Sequence, residues 1–106
     1  MATNVKVGTY TGNGSAQNIS VGFLPDYVEI INTTTPGSDK WMSNFSAGTS
    51  YTAATDTVAA NIRANPNGVS TFAGDSTHSQ GFTVGAGLST NAAVYRFVAI
   101  ANGAGS

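Results

Sequence analysis

The sequence contains no cysteine, so a disulfide framework and a thiolate metal site are both excluded. It has a single histidine, His78, which rules out a multi-histidine metal centre and leaves one candidate base. Charge is scarce as well: Asp, Glu, Lys and Arg make up 8% of the residues, against about 25% in an ordinary globular domain. Four cations against five anions leave a net charge of -1 and no basic stripe to neutralise phosphates, so nucleic acid is not an expected partner. No run approaches the ~20 apolar residues of a membrane-spanning helix, and the N-terminus lacks the basic start and apolar core of a signal peptide. The expectation is a chain made in a cytoplasm, without membrane contact. Few surface charges and a net charge near zero favour association, which points to work inside an assembly.

What the sequence does contain is enough for one compact core. Hydrophobic residues make up 41% and aromatics 9% of 106 residues, so a single domain, 1–106, is expected, with extended termini at 1–4 and 102–106. Short β-prone runs separated by Gly, Pro and Asn fill most of the chain. Val5, Val7 and Thr9 alternate with Lys6, Gly8 and Tyr10, the period-two pattern of a strand with one buried face. Gly12, Asn13 and Gly14 supply a tight turn, after which residues 17–21 are expected to return antiparallel as a hairpin. Pro25 turns a corner with Phe23 packed inward, and residues 27–31 form the most β-prone run, with Val28 and Ile30 on one face and Tyr27, Glu29 and Ile31 on the other.

Residues 33–39 read as a turn-rich connection and 40–45 as a strand, followed by a loop over 47–56. A short strand or irregular segment is expected at 57–62, and a turn at 65–68. Strands at 69–72, 81–85 and 94–100 complete the pattern, the last of them central. Seven or eight short strands at intervals of about 8 to 12 residues predict an all-β fold, an antiparallel β-sandwich of the jelly-roll type.

No residue cluster identifies a catalytic, cofactor-binding or metal site. His78 lies beside Asp75 in a polar loop, but there is no Gly-x-Ser-x-Gly elbow to present a nucleophile. The carboxylates Asp26, Glu29, Asp39, Asp56 and Asp75 are scattered singly, whereas glycoside hydrolysis needs two held about 5 to 10 Å apart. The glycines belong to turns, with no phosphate-cradling spacing among them. Trp41, Tyr51, Tyr27 and Tyr95 are candidates for a sugar-stacking platform, but core or interface packing is the favoured reading, because large aromatics dominate burial in small sandwiches and are enriched at interfaces.

The turn and core residues carry a resemblance. Tyr10, Gly12, Asn13 and Gly14, then Gly22, Phe23, Pro25, Asp26, Val28 and Ile30, resemble a β-rich module of tailed-phage virion proteins in which Y-x-G-N-G leads into G-F-x-P-D-x-V-x-I. Gly81, Phe82, Gly85, Asn91, Tyr95 and Ala99 are similar to its closing G-F-x-x-G … N … Y-x-x-x-A, while the middle of the chain matches poorly. The resemblance implies a scaffold built on Gly12, Asn13, Gly14, Phe23, Pro25, Val28, Ile30, Phe82, Tyr95 and Phe97.

Such modules usually form one domain of a longer chain. Here the match reaches both ends, which suggests a capsid decoration (cement) protein on the virion surface. That role implies the major capsid protein as partner, self-association as a homotrimer, no enzymatic activity and no cofactor. Val5, Val7, Trp41 and Tyr51 are the candidate interface residues, and residues 1–7 and 102–106 are candidate arms reaching a neighbour. The alternative is a receptor- or glycan-binding module of a tail tip or fibre, which requires Trp41 or Tyr51 to stand exposed beside polar loops.

Overall fold

In the computed structural model, which describes residues 4–34, 37–52, 61–63 and 67–101, the chain forms nine strands and no α-helix among those residues. The strands are β1 (Asn4–Thr11), β2 (Gln17–Ser20), β3 (Tyr27–Asn32), β4 (Gly37–Met42), β5 (Ser50–Thr52), β6 (Asn61–Arg63), β7 (Val69–Phe72), β8 (Gly81–Val84) and β9 (Val94–Ala101). A 3₁₀ turn over Ala86–Leu88 follows β8. Two antiparallel sheets result, one of six strands in the order β1-β9-β3-β4-β5-β6 and one of three in the order β2-β8-β7. They pack face to face as a β-sandwich. Val28, Ile30, Trp41, Tyr95, Phe97 and Ala99 from the large sheet share one apolar core with Val69, Phe82 and Val84 from the small sheet. Phe82 meets Phe97 edge-on across the layers, with ring centroids 5.2 Å apart.

The central position expected for residues 94–100 is observed, since β9 lies between β1 and β3. The faces expected for β3 also hold: Val28 and Ile30 are buried while Ile31 is exposed. The expected β1–β2 hairpin does not form. Gly14 takes the positive φ of +82° that a tight turn demands, but the turn carries the chain from one sheet to the other, and β2 pairs with β8. The reason is docking against the far end of the chain. Gly12 N donates to Ala93 O at 2.8 Å and Gly14 N to Ser89 O at 2.7 Å. A Cβ on Gly12 would stand 2.0 Å from Thr90 O, so only glycine allows this approach.

Other boundaries shift. The connection expected at 33–39 is shorter, because β4 starts at Gly37 and carries Asp39 into the core. The loop expected at 47–56 holds β5. The segment expected at 57–62 contributes Asn61 and Ile62 to β6, while residues 53–60, Asp56 among them, lie outside the described residues, as do 64–66 of the expected turn. Asn4, expected in an extended end, opens β1 opposite Ala101, and the rest of the expected extended ends, 1–3 and 102–106, lies outside the described residues.

β1 settles which face of its alternation is buried, and it is the less apolar one. Tyr10 is stacked on Tyr95 at 4.9 Å with the rings 7° from parallel, and its hydroxyl donates to Leu88 O at 2.7 Å. Gly8 leaves room for Phe97, whose ring occupies the place of the missing Cβ. Fixing Tyr10 inward turns Val5 and Val7 outward, because side chains alternate across a strand. They are 57% and 71% exposed.

Candidate interaction face

The outer face of the six-stranded sheet follows from register alone, since directly opposed residues share a face. One row runs Val5, Ile100, Tyr27, Met42; the next Val7, Val98, Glu29, Lys40, Tyr51, Ile62; the third Thr9, Arg96, Ile31, Ser38. Among the described residues, every exposed large hydrophobic side chain except Leu24 belongs to these rows: Val5, Val7, Ile31, Met42, Tyr51 and Ile62. Isolated apolar residues are normal on a surface, but a contiguous patch marks a contact site. The strands span roughly 550 Å² in projection at about 4.8 Å between strands and 3.4 Å per residue, about two thirds of the ~800 Å² of accessible surface that each partner buries in a standard interface.

The face carries three charges, all near its middle. Glu29 lies opposite Lys40 in register, and Arg96 lies opposite Ile31 in the neighbouring row. Tyr27 donates to Glu29 Oε1 at 3.4 Å. Partial burial, then the Glu29 charge and this bond, push the Tyr27 phenol above its ordinary value. The outer face of the small sheet has the opposite character. Asn18, Ser20, Ser70 and Thr83 occupy most of it, with Thr83 Oγ1 donating to Asn18 Oδ1 at 2.6 Å, and Phe72 sits half-buried at one end beside the His78 ring. A half-open hollow of about 250 Å³ beside Ser70 and Thr83 is otherwise lined by alanine and glycine, so it presents no acid or base.

The far third of the large sheet is fastened from inside. Asp39 on β4 is 3% exposed, and its Oδ2 accepts from Ser50 Oγ at 2.6 Å, Thr52 Oγ1 at 3.1 Å and Arg63 Nε at 2.7 Å. Its Oδ1 accepts from Arg63 Nη2 at 3.1 Å. The bond to Asp39 holds the Arg63 guanidinium above its usual value despite burial. β4, β5 and β6 are thus tied together beneath Tyr51 and Ile62.

The residues expected to form the scaffold and those expected to form the interface separate, with Trp41 the exception. Val28, Ile30, Pro25, Phe82, Tyr95 and Phe97 are buried, Phe23 packs partly buried against the core, and Gly12, Asn13 and Gly14 form the docked turn. Val5, Val7 and Tyr51 lie together on the outer face. Trp41 does not: it points inward from β4 at 3% exposure, so its expected interface role is corrected to core packing. The same burial of Trp41 and Tyr95 removes them from a sugar platform. Ile31, placed on this side of β3 by its alternation, was not expected as a contact residue, and Met42 and Ile62 were missed as members of the face. Their signal was parity: each sits one residue from a core or inward position, at a place where an ordinary exposed strand face is polar.

His78 is held within its own loop. Asp75 Oδ1 accepts from His78 N at 2.8 Å and from Thr77 N at 2.8 Å, and contacts His78 Nδ1 at 3.0 Å. The backbone bond from Thr77 first, and the His78 side chain next, lower the exposed Asp75 carboxyl to about 2. Among the described residues no three His, Asp or Glu side chains gather as a metal set, and no helix is long and apolar enough to cross a membrane. Set against family models, curated proteins and solved structures, the chain matches none of them.

Proposed function

We propose that this β-sandwich is a non-catalytic assembly module that docks through the outer face of its six-stranded sheet onto shell subunits of a tailed-phage virion, as a decoration protein. The observation that carries the docking is the collection of Val5, Val7, Ile31, Met42, Tyr51 and Ile62 on one face. The virion context rests on the resemblance of the Gly12–Gly14 turn, the Pro25 corner and the Phe82 to Ala99 closing segment. Burying apolar surface against an assembled shell stabilises that shell by mass action and needs no reactive group. The glycan-binding alternative loses Trp41, which is buried, and keeps Tyr51, which is exposed on the same face.

The test is particle based. Virions lacking this protein should assemble but rupture at lower temperature, and purified protein added back should restore the native threshold. Ile62→Glu and Met42→Glu should fold normally yet fail to restore it. Unchanged thermal rupture of depleted particles would refute the decoration role, and full rescue by both variants would refute the face.

A further inference from the structure

Among the described residues the six-stranded sheet ends on one side in β6, three residues long, and on the other in β1, eight residues long. Short edges are protected by their length, whereas long flat ones recruit another strand unless proline, a bulge or repeated charge intervenes. β1 has no proline, pairs with β9 through eight consecutive residues without a bulge, and carries one charge, Lys6.

Hydrogen bonds fix which of its backbone groups are free. Val94 O and Ile100 O accept from Thr33 N and Asp26 N on the β3 side of β9. By alternation, Tyr95, Phe97, Ala99 and Ala101 serve β1, at Tyr10, Gly8, Lys6 and Asn4. The N–H and C=O groups of Val5, Val7, Thr9 and Thr11 therefore point away from the sheet. Thr11 is already engaged, since Gln17 Nε2 donates to its carbonyl at 2.9 Å. Among the described residues, the strip left open runs from Val5 to Thr9 and is symmetric about Val7.

We infer that a second copy of this chain pairs with β1 antiparallel about a two-fold axis at Val7. In that register Val7 opposes its mate, Val5 opposes Thr9, and Lys6 opposes Gly8 instead of another Lys6. Every open group of the strip is used. Sliding two residues one way sets Lys6 against Lys6, and two the other way sets Val5 against the engaged Thr11. Same-parity pairing also keeps both outer faces on one side, so the apolar rows of the two copies join into one twelve-stranded surface. The pairing stands whether or not that surface docks on a virion shell.

The experiment combines mass in solution with amide exchange on the full chain. Sedimentation at tens of micromolar should give twice the 10.7 kDa chain mass. Val7→Pro removes the donor at the axis while sparing the β9 ladder, because the Val7 N–H faces outward; the dimer dissociation constant should rise by ~30-fold or more from the two lost backbone bonds. Val7→Lys, which sets two ammonium groups together, should also yield monomer with native circular dichroism. Ile62→Lys, on the same face but far from β1, should leave the dimer intact. On dilution, exchange should accelerate at Val5, Val7 and Thr9 and not at Lys6, Gly8 or Tyr10. A monomer at all concentrations, a trimer, a dimer indifferent to both Val7 variants, or one abolished by Ile62→Lys would overturn the pairing. Protection of Val5, Val7 and Thr9 that arises only on adding a shell protein would overturn it in favour of a different partner strand.

Discussion

Replacing Asp39 with alanine tests whether the inner ion-pair network, rather than strand pairing alone, holds the far third of the large sheet. β5 and β6 have three residues each, too few to be stable as a ribbon without side-chain support. Ser50 is fully buried, and losing its acceptor costs roughly 1–3 kcal/mol. Arg63 keeps 27% of its side chain exposed, so water reaches the guanidinium and the usual ~3–5 kcal/mol for orphaning a buried charge falls to roughly 1–2 kcal/mol. The sum is about 3 kcal/mol, or a melting temperature lower by roughly 12–24 °C for a domain of this size.

Urea unfolding followed by Trp41 emission measures it directly, because Trp41 is the sole tryptophan and is buried two residues along β4. Arg63→Met in the Asp39→Ala background should recover the part due to the orphaned charge. A loss below about 1 kcal/mol for Asp39→Ala would refute the reasoning and assign the β4–β6 corner to backbone pairing.

Tyr10 and Asp75 give two pH-dependent outcomes. Burial first, then Tyr95 and Asp39, hold the Tyr10 phenol far above its ordinary value of 10.0, so the unfolded chain ionises this group before the native one does. The stability it contributes is complete below pH 10 and is lost as pH rises above it. Tyr10→Phe should cost about 1–2 kcal/mol at pH 7 by stranding Leu88 O and should flatten the decline between pH 10 and 11; an equally steep decline in both proteins would contradict this. For Asp75, whose native value is lowered to about 2, the contribution of the loop is present above the unfolded value of roughly 4 and disappears as pH falls through about 2. Carboxyl ¹³C titration should place its midpoint near 2, and a midpoint near 4 would mean that the Thr77 and His78 bonds do not persist in solution.

How much was legible in advance differs by element. β3 and β9 could be read, because continuous Val, Ile, Tyr and Phe with a two-residue period commits a segment to a central strand whatever its neighbours do. The turn at Gly12, Asn13 and Gly14 could be read as a turn but not as a crossing between sheets, since local dihedrals do not specify which strand comes next. Trp41 was misplaced because an aromatic residue suits a core and an interface equally; only the register of β4 with β3, which sets Trp41 opposite Val28, puts it inside.

The sequence by itself determined an all-β sandwich, its scaffold turns and a surface poor in charge, because these depend on composition, period and glycine placement. The tertiary structure decided the parity of β1. Gly8 and Tyr10 are less apolar than Val5 and Val7, and on hydrophobicity alone the valines belong inside. Stacking of Tyr10 on Tyr95 and the fit of Phe97 over Gly8 reverse that preference. These contacts join residues from opposite ends of the chain, which no local pattern encodes, and they leave the valines outside on an apolar face with an open edge.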